Sequence, residues 1–155
     1  MTSSRTREIL AHLATRPGHD EVKADFRDLL IEEFGADRHA LRFEERVPEI
    51  RGRLDALIGC TVLEAKRNLV TEWADVERRM PDYLADRERD TGERFVGIAT
   101  DGLRWVVCEQ ADCKLLKIKE TTLDPNKAEQ FLAWLDGAIA IRASLPPDPL
   151  TIRIL

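Results

Sequence analysis

Asp55, Glu64 and Lys66 fall inside the apolar segment Arg51-Gly-Arg-Leu-Asp-Ala-Leu-Ile-Gly-Cys-Thr-Val-Leu-Glu-Ala-Lys66. The pattern predicts two short strands, Arg53–Ile58 and Thr61–Lys66, joined by a turn at Gly59-Cys60. Residues two apart on a strand share a face, so Glu64 and Lys66 project together. Each of the three ionisable groups resists losing water unless it is paired or holds a metal. Two carboxylates on adjacent strands supply hard oxygen ligands for Mg²⁺, with Mn²⁺ as a possible substitute, and the ion can bridge to a phosphate. A metal there lowers the pKa of a bound water and offsets phosphate charge. Lys66 beside it can hold the attacking water or help deprotonate it. The plainer alternative is an ordinary ion pair at a sheet edge.

The spacing Asp-x₈-Glu-x-Lys in this strand context resembles the PD-(D/E)xK nuclease superfamily. Asp55 matches the motif acid, and Glu64-Ala65-Lys66 matches the (D/E)xK triplet, while Leu54 stands where a proline is often found. The resemblance implies a restriction-endonuclease-like α/β fold, a mixed central sheet flanked by helices. It also implies Mg²⁺-dependent cleavage of DNA, with Asp55, Glu64 and the Ala65 backbone carbonyl on the metal and Lys66 acting on water. The helix opening such domains often lends a further acid. Glu21 is the choice here, with Glu33 as its rival, and a solvated or capping charge is the alternative for either. Arg51 and Arg53 are candidates for DNA phosphate contacts or plain surface charges. Arg79 occupies the place where related nucleases often carry a Gln, and it too can grip a phosphate.

A second stretch, Gly97-Ile-Ala-Thr-Asp-Gly-Leu-Arg-Trp-Val-Val107, is similar to the T-(N/D)-G-x-x-W hairpin in N-terminal domains of type I restriction R subunits. Fused nuclease–methyltransferase and nuclease–helicase proteins share that hairpin. Without the triplet upstream, the same letters describe only a hairpin with Trp105 in a core.

The chain has 155 residues, 43% of them hydrophobic, and a net charge of −5. That length suits one domain. The acidic balance does not advertise nucleic-acid binding, which a nuclease domain can draw from neighbouring domains. No apolar run approaches the ~20 residues of a membrane span, and no secretory h-region opens the chain. Cys60, Cys108 and Cys113 lack metal spacing and suggest free thiols in a reducing cytoplasm. His12, His19 and His39 lack zinc spacing and suggest surface residues. No Walker loop, dinucleotide fingerprint or nucleophile elbow appears.

Helices are expected at Ser4–Thr15, at Asp20–Phe34 with Asp20 as its cap, and at 71–89 with Thr71 as its cap. Pro81 is expected to kink or interrupt the third of these. A first strand is expected at Leu41–Val47. Further strands are expected at Phe95–Thr100, Leu103–Glu109 and Cys113–Ile118, with a turn at Asp101-Gly102. A last helix is expected from Asp124-Pro125 to about Ala143. Residues 1–145 then form one nuclease-like domain, and 146–155 a Pro-rich exit segment leading to a further domain. DNA is the expected partner, together with other domains or subunits of a restriction enzyme. The competing classes are a nuclease fold kept for docking DNA or a partner without turnover, and an oligomerisation domain.

Overall fold

The computed structural model describes residues 2–35, 41–43, 56–58 and 60–139, with 41–43 and 56–58 as backbone only. Arg51, Arg53, Asp55 and the segment 146–155 lie outside the described residues. The described helices are α1 (Ser4–Leu13), α2 (His19–Phe34), α3 (Trp73–Thr91) and α4 (Ala128–Ala138). The strands are β1 (Leu41–Phe43), β2 (Ala56–Ile58), β3 (Thr61–Ala65), β4 (Val96–Thr100), β5 (Arg104–Ala111) and β6 (Lys114–Thr122). They form one mixed sheet in the order β1-β2-β3-β4-β5-β6. Among the described strands only β3 and β4 run parallel, and α3 makes the crossover between them, as a parallel pair requires. The chain is therefore an α/β fold with a mixed sheet between helices.

Strand alternation divides the core into two. Leu63, Ala65, Ile98, Trp105 and Val107 face α1, α2 and α4, whose Leu10, Leu13, Phe26, Leu30, Phe131 and Leu135 close over them. Val62, Ala99, Val106 and Cys108 face α3, meeting Val76, Met80, Tyr83 and Leu84. Trp105 anchors the first cluster, with Phe26 and Phe131 at ring-centroid distances of 5.7 and 5.2 Å. Its indole N–H donates to the Gly102 carbonyl at 2.8 Å, so the largest core side chain leaves no buried donor unmet. Gly97 lies against α3, where an added Cβ would stand 2.4 Å from Met80 Sδ. Gly97→Ala is expected to cost about 1–3 kcal/mol through overpacking. Urea unfolding of Gly97→Ala, Met80→Ala and the double variant checks this, with less-than-additive losses expected.

Several boundaries differ from expectation. Gly18, with φ +113°, precedes α2, and Asp20 lies in the first turn, facing the helix dipole and 3.3 Å from Lys23. Gly35, left-handed at φ +61°, ends α2 as expected. Glu72, not Thr71, precedes α3. The helix runs through Pro81 without interruption, because Val76 and Met80 before it and Tyr83 and Leu84 after it are all packed on the sheet. The segment after Asp124 begins as a 3-10 turn, Pro125–Lys127, capped by the Asp124 carboxylate. α4 then stops at Ala138, short of Ala143, because Ile139 is already extended. Strand β6 outruns the expected Ile118 by pairing as far as Thr122 opposite Arg104. Among the described residues, no helix is long and apolar enough to cross a membrane.

Candidate active site

Four charged side chains meet where β3 ends beneath the first turns of α3. Glu64 projects from β3 on the α3 face and is almost completely buried, at 2% exposure. Lys66, one residue past the strand, shares that face and is 8% exposed. Its backbone N–H donates to the Thr100 carbonyl at 2.8 Å, which carries the parallel pairing one step beyond the strand. Lys66 Nζ lies 3.1 Å from Glu64 Oε1 and donates to Asp75 Oδ2 on α3. Arg79, one turn further along, places Nη1 3.7 Å from Glu64 Oε1 and 3.7 Å from Asp75 Oδ2. Arg78, largely exposed, donates to the other Asp75 oxygen. Both acids thus meet the same two cations, with Glu64 at the bottom and Asp75 nearer the surface.

Burial alone would push Lys66 below its ordinary value. The Asp75 hydrogen bond and the Glu64 and Asp75 charges outweigh it and hold the ammonium above that value. Burial would likewise raise Asp75, yet Lys66 and Arg78 hydrogen bonds pull its carboxyl down to about 2. A folded-state value depressed from 3.8 contributes stability that is present above 3.8 and lost as pH falls toward about 2. Asp75→Asn removes that contribution. The gap in urea midpoint between wild type and Asp75→Asn is therefore expected to be full at neutral pH and to close between about pH 4 and 2. A gap that stays constant to pH 2 contradicts it.

The connection from Lys66 to α3 is tied down by three side chains. Glu72 accepts from the backbone N–H groups of Arg67 and Asn68 at 2.9 and 2.8 Å. Asn68 Oδ1 accepts from Val70 N at 3.0 Å. The buried Asp101 carboxylate accepts from Leu69 N at 2.9 Å, and from Leu103 N and Arg104 N at 3.0 and 2.8 Å. Asp101 therefore joins the turn between β4 and β5 to the loop that carries Lys66 into α3. Thr100 Oγ1 accepts from Gly102 N at 2.9 Å and completes that turn.

Comparison with protein-family models, curated proteins and solved structures finds no match to this chain. Of the residues singled out in the sequence, Glu64, Lys66 and Arg79 come together. Ala65 closes β3 with its side chain in the opposite core. Glu21 is exposed on α2, the helix covering the other face of the sheet, and lies 3.9 Å from His12 Nε2. Glu33, also on α2, accepts from the Thr6 hydroxyl and fastens α1 to α2. The structure brings neither acid to Glu64, because α2 packs on the Leu63–Ala65 face and Glu64 projects from the other. Asp75 was not singled out. Its signal was present in the text, an acid four residues before Arg79 on a helical pattern.

Proposed function

We propose that this chain is a divalent-metal-dependent DNA endonuclease domain of the PD-(D/E)xK type, serving a restriction-modification or phage-defence enzyme. The observation that carries the reading is a carboxylate and a lysine two residues apart at the end of an interior strand, buried on one face and 3.1 Å apart. Burying such a pair costs several kcal/mol per ion, so hydrophobic residues of equal volume would often serve stability as well or better. A site that handles anionic substrate gives those charges a use. The residues suit a hard cation by donor type. Glu64 offers carboxylate oxygens, Ala65 ends its strand beside it, and Asp55 immediately precedes Ala56, which pairs with Leu63, the neighbour of Glu64.

In this proposal Asp55, Glu64 and the Ala65 carbonyl hold the ion, which when bound lowers the pKa of a coordinated water and offsets charge on the scissile phosphate. The Lys66 ammonium donates to the attacking water or to a phosphate oxygen and orients it. Arg79, with Arg78 at the rim, grips the phosphate backbone, and Arg51 and Arg53 extend that grip. Nicking of supercoiled plasmid by the full chain tests the proposal. Nicking is expected with Mg²⁺ or Mn²⁺, none with chelator, and none from Glu64→Gln or Asp55→Ala, the latter also losing metal binding. Equal cutting by wild type and Glu64→Gln contradicts it.

One observation favours a second reading, a nuclease fold that docks DNA or a partner without cutting. Lys66 and Arg79 already balance Glu64, as they would in a charge cluster that no longer takes a metal. On that reading Mn²⁺ leaves Glu64 salt-bridged to Lys66 and the plasmid intact.

A further inference from the structure

We propose that Asp75 is the positioning residue of this site, holding the Lys66 ammonium and the Arg79 guanidinium in place above Glu64. The inference rests on the nuclease reading for its chemistry and on the geometry of the cluster for its content. Lysine and arginine side chains lose more rotamer entropy than most when fixed, so a catalytic cation on a long stem needs a holder. Glu64 alone is a poor one. It lies at the bottom of the cluster, on the strand that Lys66 directly follows, and the nuclease reading assigns its oxygens to a metal. Asp75 comes from a different element, the start of α3, and supplies the second point that fixes a direction.

Its Oδ2 receives Lys66 Nζ and has Arg79 Nη1 at 3.7 Å, while Oδ1 receives Arg78. The three cations therefore converge on one carboxylate at the rim, where its side chain keeps 29% exposure. The base of α3 that carries Asp75 is itself fixed. Glu72 and Asp101 bind the backbone of the loop between Lys66 and the helix. The distance between β3 and the start of α3 is thus set by bonds independent of Asp75, and Asp75 turns that fixed distance into an aimed ammonium. With Glu64 given over to a metal, Lys66 would still have Asp75 as its anchor.

The test uses the full chain and the variants Asp75→Ala and Asp75→Glu, with folding checked by thermal unfolding. Misplacing a reacting group by about 1 Å can cost 10²-fold. Asp75→Ala is accordingly expected to lower the nicking kcat by about 10²-fold, with affinity for Mn²⁺ little changed and a much smaller rise in KM for plasmid as Arg79 loosens, and Asp75→Glu to recover part of the loss. A second readout needs no cutting. The Lys66 side-chain ammonium resonance of ¹⁵N-labelled protein is expected to be slow to exchange in wild type, lost in Asp75→Ala and kept in Asp75→Glu. Unchanged kcat in a folded Asp75→Ala overturns the proposal, as does an unchanged Lys66 resonance. A fall in Mn²⁺ affinity that accounts for the lost cutting also overturns it, by making Asp75 a ligand. A wild-type chain that never nicks, with the Lys66 resonance still lost in Asp75→Ala, upholds the positioning and overturns the nuclease reading alone.

Discussion

Lys66→Ala is expected to nick plasmid about 10²–10³-fold more slowly than wild type, while still binding DNA in Ca²⁺, where cutting does not intervene. The size follows from what the ammonium does. It is a preorganised donor, held by Glu64 and Asp75, in a place from which most water is excluded. A charge fixed in that way needs no reorganisation as negative charge develops on the phosphate. On the proposed reading DNA binding is expected to survive, because Arg78 and Arg79 remain to grip the backbone without Lys66. The change also removes one partner from a buried pair, a loss of up to roughly 3–5 kcal/mol. Lys66→Gln, which keeps a donor without the charge, serves as the second variant. Cutting must fall in both while the unfolding midpoint falls less in Lys66→Gln. Undiminished nicking by both contradicts the assignment.

The largest expected loss of stability belongs to Gly102→Ala. Gly102 has φ +97°, a conformation that strains any L side chain, and its missing Cβ would lie 2.3 Å from the Leu13 carbonyl oxygen. Two costs coincide. Backbone strain contributes about 1–3 kcal/mol. Displacing backbone at the end of α1, which has no soft side chain to yield, contributes about 1–3 kcal/mol more. Because the Gly102 carbonyl accepts the Trp105 indole, any shift of the turn also disturbs the aromatic centre of the first core cluster. Thermal unfolding is expected to move down by about 10 °C, at 2–4 °C per kcal/mol for a domain of this size. A shift under about 2 °C contradicts the packing described, since it corresponds to no more than 1 kcal/mol.

The turn around Gly102 was legible because its causes are local. Asp-Gly between apolar runs specifies it, and the structure adds only that α1 closes against it. Strands β3 and β4 were legible for the same reason, as continuous apolar runs with turn residues beside them. The pairing of Glu64 with Lys66 followed from the two-residue period of a strand. Asp75 did not follow, because its meeting with Lys66 depends on which face of the sheet α3 covers, a matter of packing between distant segments. The placement of Glu21 away from Glu64 was not legible for the mirror-image reason. A helix pattern marks the acid's place along α2 but not the side of the sheet against which α2 lies. Pro81 marks the limit of a purely local rule, since packing on both sides of it keeps α3 continuous.

An anomalous-scattering map from crystals of the full chain soaked in Mn²⁺ probes the proposed metal site directly. One strong peak is expected, bound jointly by the carboxylates of Glu64 and Asp55, with Lys66 still anchored on Asp75 beside it; that is the proposed site. Asp55 turned away from Glu64, or Glu64 still locked to Lys66 with no ion at saturating Mn²⁺, contradicts it.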